Sequence, residues 1–333
     1  MNYIGSKNKL IPFILENVQD VVGRDLSQLT FCDLFAGTGV VGRNFKKLVK
    51  KVISNDLEYY SYVLNRNYIG NHLPISNEAF LLQELNKLPP REGFIFKNYC
   101  AGENEERQYF SDLNGKKIDA TRSRVEKWKN DKQIDDSTYF FLLASLLESA
   151  DKVANTASVY GAYLKKLKKS AQKDMKILPA KFSLNGNEHL VFNEDSNKLI
   201  SKIEGDILYL DPPYNSRQYG ANYHLLNTIA LYDNFTPKGK TGLRQYTKSD
   251  YCSKVKVVEA FEELMVKAQF RYIFLSYNNE GLMPPKQIEK IMQKYGHYQL
   301  VSKSYQRFKA DKTENRKHKF DRTTEYLHIL EKP

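Results

Sequence analysis

The residues Ile207-Leu208-Tyr209-Leu210-Asp211-Pro212-Pro213-Tyr214 constrain this chain more than any other stretch. Four apolar residues run into a carboxylate, two prolines and a phenol, the pattern of a buried parallel strand that ends in a rigid turn. Proline lacks an N–H and fixes φ, so the turn presents carbonyl acceptors without competing donors and holds Asp211 and Tyr214 in one relative geometry. An exocyclic amine on a planar base fits such an edge. The Asp211 carboxylate and the Pro212 carbonyl can each accept one N–H while Tyr214 stacks on the ring. Taken alone, the same tetrapeptide also describes a Pro-Pro turn after a core strand, with Asp211 as a simple cap.

Upstream, Leu29 to Phe35 reads as a strand, and Ala36-Gly37-Thr38-Gly39-Val40-Val41-Gly42 turns it into a helix that continues through Phe45 and Leu48. Glycines at 37 and 39 let backbone approach a ligand closely, and the helix N-terminus adds a positive dipole end. Lys51 to Asp56 gives a second strand whose terminal acid is placed to take two ribose hydroxyls. Strand, turn, helix, strand and acid make one half of a nucleoside-binding α/β fold. The spacing Gly37-x-Gly39-x-x-Gly42 also satisfies the dinucleotide fingerprint, so an NAD-dependent oxidoreductase competes, although no hydride-site acid or base is found for it. At the N-terminus, Tyr3-Ile4-Gly5-Ser6-Lys7 precedes an amphipathic helical pattern through Leu10, Ile14 and Val18, with Ser6 as its expected cap.

Tyr3-Ile4-Gly5-Ser6-Lys7, Asp33-Leu34-Phe35-Ala36-Gly37-Thr38-Gly39, Asp56 and Asp211-Pro212-Pro213-Tyr214, in that order, make the chain resemble the D12 class of DNA N6-adenine methyltransferases, the Dam-like alpha group that uses S-adenosylmethionine. The resemblance implies an α/β, Rossmann-like methyltransferase fold. Its mostly parallel sheet is closed by an antiparallel C-terminal hairpin and carries an inserted, mainly helical target-recognition region. It also implies cofactor contacts from Tyr3, Lys7, Phe35, Gly37, Thr38 and Gly39, a ribose contact from Asp56, and a cofactor-adenine contact from Asp195, for which a helix cap is the other reading. The target base falls to Asp211, Pro212, Pro213 and Tyr214. Tyr3 stands where the family often has Trp, a change that keeps a stacking ring.

The α/β rhythm breaks between about 70 and 187, which divides the chain into a catalytic domain, 1–69 with 188–333, and an insertion, 70–187. An insertion of this size is usually functional. Within it, Phe94-Ile95-Phe96 reads as a short strand. Tyr139 to Leu167 reads as one long helix that turns basic at Lys165, Lys166, Lys168 and Lys169. By the family's motif order the insertion holds target recognition, with Arg107, Arg122, Arg124 and Lys127 as DNA contacts. Arg217 and Tyr219 follow the catalytic turn, Tyr219 as an extra stacking face. Residues 234–256 read as a basic, mobile strip near phosphate. Two final strands, about 297–306 and 324–330, flank the basic loop Lys309 to Arg322.

Fifty-one Lys and Arg against 39 Asp and Glu, a net charge of +12, favour a polyanionic partner, here double-stranded DNA. Cys32, Cys100 and Cys252 are scattered, which suggests neither a disulfide framework nor a zinc site, and no metal is expected. No apolar signal core or membrane-length run is present, so a cytoplasmic protein without a membrane partner is expected. The expected activity is site-specific transfer of a methyl group from S-adenosylmethionine to N6 of a flipped adenine, within a restriction–modification system that can include a cognate restriction endonuclease. N4-cytosine methylation of DNA, N6-adenine methylation of RNA and a non-catalytic nucleic-acid-binding role remain open. Asp rather than Ser before Pro-Pro-Tyr leans toward adenine as a family tendency.

Overall fold

The apolar runs become seven strands in a computed structural model that describes residues 5–102, 107–306 and 322–333. They are β1 (Thr30–Asp33), β2 (Lys51–Asn55), β3 (Leu190–Phe192), β4 (Glu204–Leu210), β5 (Gln269–Asn278), β6 (His297–Gln306) and β7 (Arg322–Glu331). They form one sheet in the order β3-β2-β1-β4-β5-β7-β6. The β2/β3, β1/β2, β1/β4 and β4/β5 pairs are parallel, and β7 runs antiparallel to both β5 and β6. This is the mostly parallel α/β sheet with antiparallel C-terminal strands that the sequence led us to expect. The loop Lys309 to Asp321 lies outside the described residues.

Parallel strands are covered on both faces, which is why β1 and β4 read as unbroken apolar runs. Phe31, Cys32, Ile207, Leu208 and Tyr209 are fully buried. On one face Phe31 stacks on Phe45 at 4.0 Å between ring centres. A separate cluster gathers Leu208, Leu210, Phe261, Leu264, Ile273, Ile288 and Met292. Burying each such side chain contributes roughly 1.5–3 kcal/mol. Strand order reverses between β1 and β4, and in open α/β sheets ligands bind in the crevice at the carboxyl ends of the strands flanking such a reversal. Both sequence motifs end there.

The chain forms two compact units. One, holding the whole sheet, comprises Gly5–Leu57, Asn187–Gln218 and Thr247–Pro333; the other includes Glu58–Gly186 and Tyr219–Tyr246. The second unit therefore takes in residues on both sides of the expected 70–187 insertion. The helices Tyr59–Asn65 and His224–Leu231 are tied within it: Asn227 accepts the Tyr60 N–H at 2.9 Å and donates to Glu58 at 2.5 Å.

Three local expectations fail, two of them because side-chain contacts with distant parts of the chain override the local pattern. Residues 94–96 open the helix Phe94–Tyr99 rather than a strand, because Asp119 accepts the N–H groups of Ile95 at 2.9 Å and Phe96 at 2.8 Å. The long helix is Asp136–Val153 and stops well short of Leu167. Asn155, fully buried, donates to the carbonyls of Gln108 and Leu164 and accepts the Lys168 N–H, which turns the chain into an irregular strap. Buried backbone without a ladder needs such partners. Asn114 accepts from Met175, Asn86 from Ile177 and Ser145 from Ala180, so the strap is pinned along its length. Finally, Ser6 is exposed and Lys7 occupies the cap position of the short turn Asn8–Leu10 that leads into the helix Ile11–Val22. Among the described residues no helix is long and apolar enough to cross a membrane.

Replacing Asn155 with Ala strands three part-buried backbone groups. Unfolding free energy should fall by about 2–3 kcal/mol in denaturant titrations, with faster amide exchange concentrated in residues 156–170.

Candidate active site

The ends of three neighbouring strands are stitched together by carboxylates and one carboxamide. Asp33, last in β1, accepts the Gly42 N–H at 3.0 Å. Asp56, just past β2, accepts the Gly37 N–H at 2.8 Å. Asn55 donates to the Leu34 and Glu194 carbonyls and accepts the Glu194 N–H, joining the β1 and β3 exits. Between these anchors Gly37 and Gly39 take φ of 53° and 73°, the left-handed region that glycine enters without strain. Phe35 is half-buried and meets Tyr251 edge-on at 4.9 Å, and Thr38 is half-buried in the turn. Asp195 is exposed and caps the short helix Ser196–Leu199, accepting from Asn197 at 3.0 Å and Lys198 at 3.1 Å. Its cap role is therefore real.

Asp211 leaves β4 beside a buried lysine. Lys7, 4% exposed, sits with Nζ 2.8 Å from Asp211 Oδ1, 3.3 Å from Glu325 Oε1 and 3.4 Å from the Gly5 carbonyl. The same ammonium lies 5.7 Å from the centre of the Tyr214 ring. Glu325, on β7 opposite Asn278, is 2% exposed and accepts the Ser276 hydroxyl at 2.5 Å. Pro212 is buried and Pro213 half-buried. Tyr214 is half-buried, and its carbonyl accepts the Leu282 N–H at 3.0 Å, which ties down the exit of the turn.

Burial alone would push the Lys7 ammonium toward neutrality, but Asp211 and Glu325 hold its pKa well above the ordinary value. Burial raises Asp211 to about 6 against the pull of Lys7, and Glu325 adds to the rise. Burial likewise raises Asp33 to about 7, opposed by the Gly42 N–H, with Asp211 and Asp56 adding to it. The Asp33 Oδ1 is buried with no hydrogen-bond partner among the described residues. Three carboxylates thus share the strand exits in an acceptor-rich setting suited to a cationic, hydroxyl- and amine-bearing ligand. No grouping of three His, Cys, Asp or Glu side chains able to hold a metal ion occurs among the described residues.

The structure brings Lys7, Gly37, Gly39, Asp56, Asp211 and Tyr214 to one edge of the sheet. Tyr3 lies outside the described residues. Glu325 was missed, because a single acid in a terminal strand carries no motif. Asp33 carried no assigned role.

The DNA candidates scatter. Arg122 is a correction: it is 3% exposed, and its guanidinium donates to the Ile229 carbonyl at 3.1 Å, the Ala230 carbonyl at 3.1 Å and Glu126 at 2.6 Å. It satisfies the open carbonyls at the end of the helix His224–Leu231, a structural role in a buried position rather than a DNA contact. Arg107 donates to the Asn98 and Gly239 carbonyls. Arg124 lies over Trp128 at 5.7 Å, and the exposed Lys127 pairs with Asp131. Arg217 is exposed in the sheet unit, whereas Tyr219, in the helical unit, stacks on Tyr223 at 6.1 Å.

Comparison with known proteins agrees with this geometry. Residues 3–291 match the family model of the D12 class N6 adenine-specific DNA methyltransferases. Type II methyltransferase M.NlaIII of Neisseria lactamica is 64% identical over 332 residues, covering 100% of this chain and 99% of that protein. Type II methyltransferase M.CviAII of Paramecium bursaria Chlorella virus 1 is 39% identical, with 93% of each chain covered. Type II methyltransferase M.FokI of Planomicrobium okeanokoites is 39% identical over 100% of this chain, which spans 53% of that protein. The chain belongs to the D12 class of N6 adenine-specific DNA methyltransferases.

Arg122→Ala should cost about 2–3 kcal/mol of stability through the carbonyls left without donors, measured by chemical denaturation. DNA affinity of the folded variant should equal that of the wild type.

Proposed function

We propose that the chain moves the methyl group of S-adenosylmethionine to N6 of an adenine flipped out of duplex DNA, as the modification enzyme of a restriction–modification system in which a cognate endonuclease cuts the unmodified site. The observation that carries this reading is the half-buried Asp211 carboxylate, oriented by Lys7 at the exit of β4 beside the glycine turn. The acceptor-rich strand ends fit the cofactor: the unpartnered Asp33 Oδ1 suits an ammonium group, and the Asp56 carboxylate suits ribose hydroxyls. When bound, the cofactor supplies an electrophilic methyl on a cationic sulfur.

The residues of the chain then do the positioning. An aryl amine is a poor nucleophile because its lone pair is delocalised into the ring. With its two hydrogens accepted by Asp211 and the Pro212 carbonyl, N6 is held toward tetrahedral geometry with its lone pair directed at the methyl. A methylated N6 would be cationic and would shed a proton, for which Asp211, raised to about 6, is a placed acceptor. Tyr214 replaces the stacking that the flipped base loses.

For DNA, the reading favours two acid-free basic runs in the helical unit, Lys152 to Lys173 and Asn234 to Tyr246. They meet at Tyr109, whose hydroxyl lies 2.8 Å from the Tyr160 carbonyl and 3.1 Å from the Thr241 carbonyl. Tyr99 donates to Gly242 and Arg107 to Gly239, which fixes the second run further. Lys165, Lys166, Lys169, Lys238 and Lys240 are all exposed on these clasped loops, a surface suited to phosphate.

Incubation with labelled cofactor and duplex DNA, followed by digestion to nucleosides, should yield N6-methyladenine; N4-methylcytosine, or label only in RNA, would contradict the reading. Asp211→Asn should lower the methylation rate by about a thousandfold, as the loss of a placed transition-state group does, with cofactor binding retained. Because Asp211 must be ionised to accept N–H, the wild-type rate should fall as pH drops below about 6. Replacing Lys165, Lys166, Lys238 and Lys240 with Ala should flatten the salt dependence of DNA binding by about 0.9 log unit per lost phosphate contact.

A further inference from the structure

We propose that Glu325 is a positioning residue of the methyl-transfer site: it takes one side of the Lys7 ammonium so that the lysine orients Asp211 without cancelling its charge. The inference rests on the methyltransferase reading above and adds a residue to it. Lys7 has three N–H donors and no acceptor capacity. The structure occupies those donors internally, with Asp211 at 2.8 Å, Glu325 at 3.3 Å and the Gly5 carbonyl at 3.4 Å. Lys7 thus acts on Asp211 rather than directly on a bound ligand.

Charge counting gives the second half of the argument. One carboxylate would already balance Lys7, and a buried carboxylate beyond that is unfavourable unless something compensates it. Glu325 is nonetheless 2% exposed, on β7 of the sheet, with the 1% exposed Ser276 hydroxyl clamping Oε1 from β5. Lys7, Asp211 and Glu325 together carry one net negative charge, facing a reaction in which positive charge passes from sulfur to N6. The triad is preorganised for that charge because Glu325 is fixed on the paired strand β7, Asp211 directly follows the central strand β4 in a proline-stiffened turn, and Lys7 is held between them. Without Glu325 the Lys7–Asp211 pair would be neutral and a weaker acceptor for the amine.

The test compares Glu325→Gln with Glu325→Asp in single-turnover methylation of duplex DNA across pH, with cofactor affinity and melting temperature measured alongside. Gln keeps the shape and an acceptor for Ser276 but loses the charge; Asp keeps the charge. The groups acting electrostatically on Asp211 and its partners here are Lys7, Glu325, Tyr209 on β4, Tyr214 in the turn, Asp33 at the end of β1 and Glu280 beyond β5. Glu325 raises the Asp211 pKa, so removing its charge lowers it. Glu325→Gln should therefore methylate at least about tenfold more slowly, a modest share of what a placed charge contributes. Its acid limb should move to lower pH, with cofactor affinity within about threefold of wild type. Glu325→Asp should keep the acid limb at the wild-type position, and it preserves the test should Gln fold poorly. An unmoved acid limb in Glu325→Gln, or equal rate losses in both variants with unmoved limbs, would overturn the proposal while the wild type still methylates DNA. A wild type that methylates no DNA removes the methyltransferase reading and this inference with it.

Discussion

A lysine buried between two carboxylates is the interaction on which the rest of this protein is arranged. Lys7, Asp211 and Glu325 come from widely separated positions in the chain, and none could be buried alone without a large desolvation cost. The sheet order brings them together. β4 lies at the centre and delivers Asp211, while β7 inserts between β5 and β6 and delivers Glu325 beside the same strand exits. A sheet with β6 next to β5 would leave that acid elsewhere. The antiparallel C-terminal strand thus serves the chemistry as well as the edge of the sheet.

The glycine turn obeys the same logic at lower charge. Gly37 and Gly42 present backbone N–H groups to Asp56 and Asp33, so the carboxylates that define the crevice also hold its backbone in shape. Burial raises both Asp33 and Asp211, and neighbouring carboxylates add to it, Asp211 and Asp56 acting on Asp33 and Glu325 on Asp211, a repulsion that a cationic ligand relieves. Binding and architecture are coupled through the same few atoms.

Much of this was legible in the sequence, for a physical reason. Strands buried on both faces must be apolar throughout, so Phe31-Cys32 and Ile207 to Leu210 announce themselves, and turns that need Gly or Pro announce where strands end. What stayed hidden depended on partners far along the chain. Glu325 is one acid in Thr323-Thr324-Glu325-Tyr326-Leu327, with nothing local to distinguish it from an outward-facing strand residue. Arg122 looked like a surface base among charged neighbours, yet it closes the end of a helix about a hundred residues away. Asn155 looked like one more residue in a helical run, and only its buried carboxamide reveals why the run ends.

The described residues of the helical unit fall in two runs, 58–186 and 219–246, with β3 and β4 synthesised between them. A nascent chain that has reached residue 218 therefore still lacks the helix His224–Leu231, nearly all of whose residues end up buried, and with it the carbonyls that Arg122 serves. The sheet is equally unfinished at that moment, because β5, β6 and β7 have yet to emerge. The helical unit can reach its native packing only after translation passes residue 246, and the sheet only after β7 has emerged, so the strand that carries Glu325 is among the last pieces of the site to be made.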